Sequence, residues 1–169
     1  MEYLSRASTP LGRILLSSDG KALTGLWFEG QKYFGSTLPA ICTERQLPVF
    51  EQTAFWLALY FDGKAPDFTP PLSPRGTPFQ QSVWDILLTI PFGQTITYGE
   101  IAANLARQRG LSHLSAQAVG GAVGHNPISL IIPCHRVVGA NGSLVGYAGG
   151  LDKKEKLLVM EGALSRSGR

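Results

Sequence analysis

The stretch Ile131-Ile132-Pro133-Cys134-His135-Arg136-Val137-Val138 sets a thiol, an imidazole and a guanidinium in consecutive positions between two pairs of β-branched residues. A buried cysteine is by default a small hydrophobe, and it becomes a nucleophile only where basic or cationic neighbours stabilise its thiolate. Cys134 has such neighbours. Two readings therefore stand: a reactive thiol set in an apolar wall, or a core cysteine beside a surface histidine.

The segments upstream favour the reactive reading. Thr97-Tyr98-Gly99-Glu100 is a capping box that opens a short helix burying Ile101, Ala102 and Leu105, with Gly110 as its end. Ser115 can cap a second helix through Val123, which His125-Asn126-Pro127 breaks before the chain runs into Cys134. At 100° per residue, Ala116, Val119 and Val123 form its apolar stripe, while Gln117, Gly120, Gly121 and Gly124 lie opposite, with Ala118 at the edge. Each interior glycine costs about 1 kcal/mol relative to alanine, so this bare face needs a reason. Close approach of another backbone is one. It is supplied either by a neighbouring helix or by the groove of a nucleic acid, as a helix-turn-helix module would present it.

Downstream, Gly139-Ala140-Asn141-Gly142 reads as a turn and Gly146-Tyr147-Ala148-Gly149-Gly150 as a loop or wing whose backbone is open to a planar ligand. Asp152-Lys153-Lys154-Glu155 is expected to cap a last helix ending at Gly162. On it Lys154, Leu157, Leu158 and Glu161 share one stripe, which makes Glu161 a candidate partner for His135.

The first half of the chain is of another kind. Glu2–Ala7, Arg13–Ser18 and Ala22–Phe28 read as strands, with Asp19-Gly20 as a two-residue hairpin turn, and Val49, Gln52, Trp56, Leu59 and Tyr60 recur at helical spacing after Pro48. Prolines at 66, 70, 71, 74 and 78 make an extended connector. Thr77-Pro78-Phe79-Gln80 is a further capping box, opening a helix with Val83, Ile86, Leu87 and Ile90 on one face and Pro91-Phe92-Gly93 as its stop. The expected organisation is α+β: residues 1–72 as a small antiparallel sheet with a covering helix, and residues 73–169 as an all-helical domain with a winged helix-turn-helix.

Composition sets outer bounds. A chain of 169 residues with 44% hydrophobic and 16% charged content is too apolar for disorder. Residues 1–75 carry seven Lys/Arg against seven Asp/Glu and residues 76–169 carry eight against five, so the net charge of +3 resides in the second half and favours an anionic partner there. The two cysteines, Cys42 and Cys134, stand far apart without CxxC spacing, which argues against a disulfide framework or a zinc site. Met1–Ser8 lacks an apolar leader and no window reaches membrane-span length, so a cytoplasmic protein with no membrane partner is expected. No long apolar face is left over, which points to a monomer.

Pro133-Cys134-His135-Arg136-Val137-Val138, preceded by Ala118-Val119-Gly120-Gly121-Ala122 and Asn126-Pro127 and followed by Gly146-Tyr147-Ala148-Gly149-Gly150, closely resembles the O6-alkylguanine-DNA alkyltransferases. The similarity runs from about Arg75 to Gly162, and residues 1–72 fit the ribonuclease H-like N-terminal domain of such proteins more loosely. The resemblance implies repair by direct reversal. Double-stranded DNA would be bound through its minor groove, an O6-alkylguanine flipped into a pocket, and the alkyl group moved irreversibly to Cys134 in a single turnover.

The same resemblance implies roles residue by residue. His135 would deprotonate Cys134 through a water, with Glu161 orienting the imidazole. Tyr98 matches a pocket tyrosine that aids the leaving guanine, Asn126 a hinge asparagine, and Lys154 a lysine near the thiol. Val137, Val138, Tyr147, Ala148 and Gly149 would line the base pocket, and Gln117, Ala118, Gly120, Gly121 and Ala122 would face DNA. Arg136 would brace the structure. No cofactor and no metal are implied, since Cys42 is the only cysteine and no histidine occurs in the first half.

Two departures from the pattern stand out. Gln117 occupies the place of the arginine that usually enters the base stack, and the turn Ala106–Leu114 is longer than usual and brings Arg107, Arg109 and His113. Arg107 or Arg109 is expected to compensate through phosphate contacts. Two other functions fit the residues less fully. One is a cysteine hydrolase or acyltransferase, for which adjacent Cys and His are poorly placed to face each other directly. The other is a sensor of alkylated DNA, or a helix-turn-helix regulator, with little transfer activity.

Overall fold

The computed structural model describes residues 1–164; residues 165–169, the end of the expected C-terminal domain, lie outside the described residues. The chain forms two compact units, one of Met1–Arg75 with Pro127–Ile131, the other of Gly76–Asn126 with the chain from Ile132 on. Among the described residues no helix is long and apolar enough to cross a membrane.

In the first unit β1 (Glu2–Thr9), β2 (Gly12–Ser18) and β3 (Leu23–Phe28) pair antiparallel, and β4 (Cys42–Glu44) adds to β1 in parallel, giving the order β3-β2-β1-β4. The sheet is thus mixed rather than wholly antiparallel, because three residues are too few to announce a strand by alternation. The expected two-residue turn at Asp19-Gly20 is a four-residue loop. Asp19 Oδ1 accepts from the backbone N–H of Lys21 and of Ala22, both at 2.9 Å, and this side-chain mimicry of a turn moves the first pair out to Ser18 and Leu23.

The helix α1 (Pro48–Phe61) has proline at its first position, buries Val49, Phe50, Trp56, Leu57 and Tyr60, and packs on β1 and β2. Every residue of β3 is buried, and its outer edge is also paired, through Leu23 with Leu72 and Leu26 with Ile128. Leu23 donates to the carbonyl of Pro71 and accepts from Ser73 N, each at 2.8 Å, so the proline-rich connector is pinned to β3 rather than loose. Leu26 N donates to Pro127 O at 2.8 Å and Ser129 N to Leu26 O at 2.9 Å, which is why Pro127–Ile131 belongs to this unit. Leu130 there has φ +72°, and Ile131 N closes a three-residue turn onto Ser129 O at 2.8 Å, the strained form of γ-turn.

The second unit holds α2 (Pro78–Leu87), β5 (Ile96–Thr97), α3 (Tyr98–Gln108), α4 (Ala116–Gly124), β6 (Val137–Val138) and α5 (Leu151–Glu161). Both expected capping boxes form: Thr77 with Gln80, and Thr97 with Glu100. Ser115 Oγ accepts from Gln117 N and Ala118 N, so it caps α4. The last helix starts instead at Gly150, and Asp152 sits in its first turn in an exposed ion pair with Lys156. This unit is not purely helical, since β5 and β6 pair in parallel; each is only two residues long, below what alternation can reveal.

The core of the helical unit is made by Val83, Trp84, Leu87, Ile101, Leu105, Val119, Val123, Leu157 and Leu158. Trp84 Nε1 donates to Ala122 O at 2.9 Å, tying α2 to α4. On α4 the inward residues are Val119, Ala122 and Val123. Ala122, expected among the outward residues, is therefore buried, whereas Ala116, expected inward, is exposed. The stripe is rotated by about one position because Ala122 lies under Trp84.

Candidate active site

Cys134 is placed by backbone turns. Pro133 has φ −82° and ψ 67°, and Cys134 N donates back to Ile132 O at 2.8 Å, closing an inverse γ-turn whose φ the proline ring favours. A single 3-10 turn, Cys134–Arg136, follows and leads into β6. The Ile132 carbonyl also accepts from Asn126 Nδ2 at 2.7 Å, so Asn126, itself buried, braces the turn that carries the thiol. Cys134 is buried, and burial pushes its thiol up, while an Asn126 side-chain hydrogen bond and the Lys154 charge pull it down.

His135 and Glu161 meet as the helical stripe on α5 led us to expect. Nε2 of His135 and Oε2 of Glu161 are 2.6 Å apart, and both side chains are fully buried. The same carboxylate is gripped by Arg136, whose Nε donates to Oε1 at 2.9 Å and Nη2 to Oε2 at 3.1 Å, and by Gly93 N, which donates to Oε1 at 3.0 Å. Arg136 Nη1 donates to Ile90 O at 2.6 Å, and its guanidinium lies 5.9 Å from the Phe92 ring centre. Burial raises the Glu161 carboxyl, but the hydrogen bonds and charges of His135 and Arg136 hold it at about 2. Burial pushes the His135 imidazole down, Glu161 raises it, and Arg136 and Lys154 lower it further.

Lys154 is fully buried, yet its ammonium is satisfied: Nζ donates to Val145 O at 2.9 Å and Gly146 O at 2.8 Å. It lies 5.8 Å from the centre of the Tyr98 ring, and burial lowers it to about 8. The Tyr98 hydroxyl also donates to Val145 O, at 3.1 Å, and burial, then the Cys134 charge, raises its pKa. Val137 and Val138 are buried, whereas Ala148 and Gly149 are half-buried in the 143–150 loop. Tyr147 packs edge-on to His135 at 6.5 Å, and its buried hydroxyl finds no hydrogen-bond partner among the described residues.

Reading the sequence missed three parts of this site: the Ile90 carbonyl, Gly93 and Val145. The residues Pro91-Phe92-Gly93 read only as a helix stop. Gly93 has φ +83°, and a Cβ there would come within 3.0 Å of Glu161 O, so the left-handed turn and the close approach both select glycine. In the sequence the only signal for this is the glycine itself, placed after Pro91-Phe92.

The outward face of α4 carries Gln117, Ala118 and Gly121, all exposed. A Cβ at Gly121 or Gly124 would meet nothing within 4 Å, and one at Gly120 would only touch the Tyr98 ring at 3.9 Å. Packing within the chain therefore does not require these glycines, which removes the neighbouring-helix explanation for the bare face. Arg109 is engaged on α2: Nη2 donates to Ser82 Oγ at 3.1 Å and the guanidinium lies 5.4 Å from the Phe79 ring. Arg107 is exposed, and it lines a cavity of about 400 Å³ with Ser112, His113 and Ala116.

Residues 78–163 match the family model described as 6-O-methylguanine DNA methyltransferase, DNA binding domain, and residues 3–74 match the ribonuclease-like domain of the same family. The chain is 41% identical over 160 residues to the Methylated-DNA--protein-cysteine methyltransferase of Haemophilus influenzae, covering 94% of this chain and 86% of that one. It is 43% identical over 162 residues to the protein of the same name from Methanosarcina acetivorans, covering 95% and 99%. Its fold is similar to the crystal structure of Mycobacterium tuberculosis OGT in complex with DNA, with TM-score 0.80, 41% identity, and 96% and 92% of the two chains covered. Both halves of the chain match, and the buried thiol, imidazole and carboxylate lie within residues 78–163: the chain belongs to the 6-O-methylguanine DNA methyltransferase family.

Proposed function

We propose that this protein repairs DNA by direct reversal, moving the alkyl group of an O6-alkylguanine in duplex DNA irreversibly to Cys134. The observation that carries the reading is a buried thiol beside a histidine whose far nitrogen is held by a buried carboxylate, 2.6 Å away. With Nε2 donating to Glu161, the neutral ring keeps its basic lone pair on Nδ1.

His135 takes the Cys134 proton through a water, and Glu161 stabilises the imidazolium that results. The thiolate attacks the alkyl carbon, an S–C bond forms, and the C–O6 bond breaks. Guanine leaves as an anion and takes a proton from the Tyr98 hydroxyl, which His135 restores through solvent. Asn126 holds the thiol-bearing turn, and Lys154 supplies positive charge toward the thiolate. Val137, Val138, Tyr147, Ala148 and Gly149 line the base pocket. Because the thioether is stable, no turnover follows.

Reaching the thiol requires the base to leave the stack, at a cost of a few kcal/mol. Gln117, Ala118, Gly120 and Gly121 face the minor groove, where a surface without side chains lets two backbones approach. Ala122 has no part in that face, being buried under Trp84. The protein acts as a monomer in the cytoplasm. Incubating it with a duplex carrying one labelled O6-methylguanine tests the reading: the label moves to protein in a one-to-one ratio, and Cys134→Ser abolishes this. Tight lesion binding with the label left on DNA would make the protein a lesion sensor instead.

A further inference from the structure

Glu161 offers four acceptor positions on its two oxygens, and all four are filled: Oε1 by Arg136 Nε and Gly93 N, Oε2 by Arg136 Nη2 and His135 Nε2. A carboxylate so saturated has no room for a proton of its own, so the hydrogen between it and His135 belongs to the imidazole. We propose that Arg136 is a positioning residue that, acting through Glu161, keeps His135 neutral and in the Nε2–H tautomer, ready to accept the thiol proton at Nδ1. The inference rests on the alkyl-transfer reading of the site.

Charged and titratable groups surround the ring. Glu161 and Lys154 face it from α5, Arg136 from its own turn, and Cys134 and Tyr147 are its titratable neighbours. A buried carboxylate alone would draw a second proton onto the imidazole and produce an imidazolium–carboxylate pair, which can no longer act as a base. Arg136 meets that carboxylate with two parallel N–H bonds and offsets its charge. It is itself locked by the Ile90 carbonyl and the Phe92 ring, so the fork cannot turn away. The directions on His135 agree: burial lowers it most, Glu161 raises it, and Arg136 lowers it again.

The test is the pH dependence of single-turnover transfer from an O6-methylguanine duplex. In Arg136→Gln the acid limb moves up by about one pH unit, making transfer about tenfold slower on that limb, and the rates converge at high pH. Arg136→Lys, which keeps the charge but not the fork, recovers part of the shift. A purely structural role would lower the rate equally at every pH, and that result, or an unmoved limb, overturns the proposal. Nitrogen-detected NMR of His135 in the wild-type protein keeps the proposal falsifiable even if the variants do not fold. The proposal requires a neutral ring with Nε2–H at pH 7, and a charged ring there overturns it. If wild-type protein transfers nothing, the functional reading fails, while the His135 pKa compared by NMR between wild type and Arg136→Gln still tests the role of Arg136.

Discussion

Lys154 Nζ donates to the Val145 carbonyl at 2.9 Å, and the Tyr98 hydroxyl donates to that same oxygen at 3.1 Å. One buried ammonium thereby anchors the loop beside the thiol and biases the thiol itself. Lys154→Met is expected to raise the Cys134 pKa, because the charge that lowers it is gone while burial remains. The pH profile of Cys134 modification by iodoacetamide reads this directly, and an unmoved midpoint would refute it. The same group shapes stability. Its folded value of about 8 lies below its ordinary 10.5, so the unfolded chain binds more protons between these values and stability gains with pH across that window. Urea denaturation from pH 7.5 to 10.5 should show that gain in the wild type and lose it in Lys154→Met.

Glu161 makes a prediction of the same sign in acid. Its carboxyl is held at about 2, against an ordinary 4.5, so its contribution is complete above pH 4.5 and is lost as pH falls toward 2. His135, pushed down by burial, adds to the loss below its ordinary 6.5, where the unfolded ring takes a proton that the folded ring resists. Glu161→Gln breaks a buried charged network and should cost about 3 to 5 kcal/mol near neutral pH, with a flatter acid dependence. Chemical denaturation at pH 3 to 7 measures both.

The glycines of α4 should trade stability for binding. A Cβ at Gly121 meets nothing, so Gly121→Ala is expected to stabilise the free protein by up to about 1 kcal/mol while weakening duplex binding. Gly25→Ala is the contrast. Its Cβ would overlap the Trp27 ring, and the protein should be destabilised. Thermal melts beside DNA titrations separate the two cases; unchanged affinity in Gly121→Ala would remove α4 from the interface.

Arg107, in the last turn of α3 where the sequence reads a longer turn from Ala106, and Arg109, at the helix C-cap, should differ. Arg109 is occupied by Ser82 and the Phe79 ring, so Arg109→Gln is expected to lower stability slightly and leave the salt dependence of DNA binding unchanged. Arg107 is exposed and makes no ion pair among the described residues, so Arg107→Gln should reduce the slope of log affinity against log salt by about 1. Equal slopes for wild type and Arg107→Gln would exclude a phosphate contact there.

Helix ends were legible because caps are local chemistry: Thr77, Thr97 and Ser115 each cap the helix their spacing announced. The pairing of His135 with Glu161 was legible because the i, i+3, i+4, i+7 stripe put a carboxylate among buried leucines. What could not be read were contacts set by distant backbone. The carbonyls of Ile90 and Val145 exist at every residue and carry no sequence signature. β4, β5 and β6 are too short to show a period, and the rotation of α4 depends on where Trp84 reaches. Arg136 was seen only as a brace because the sequence gives its charge but not its partner.

If the alkyl group ends on Cys134, it is visible as mass. Intact-protein and peptide mass spectrometry after mixing with a duplex containing a single O6-methylguanine reads it. One added methyl is expected, confined to the Cys134 peptide, in proportion to lesion consumed and without further turnover when more duplex is added. A lesion bound but unchanged, a methyl on another residue, or repair of many lesions per protein would contradict it.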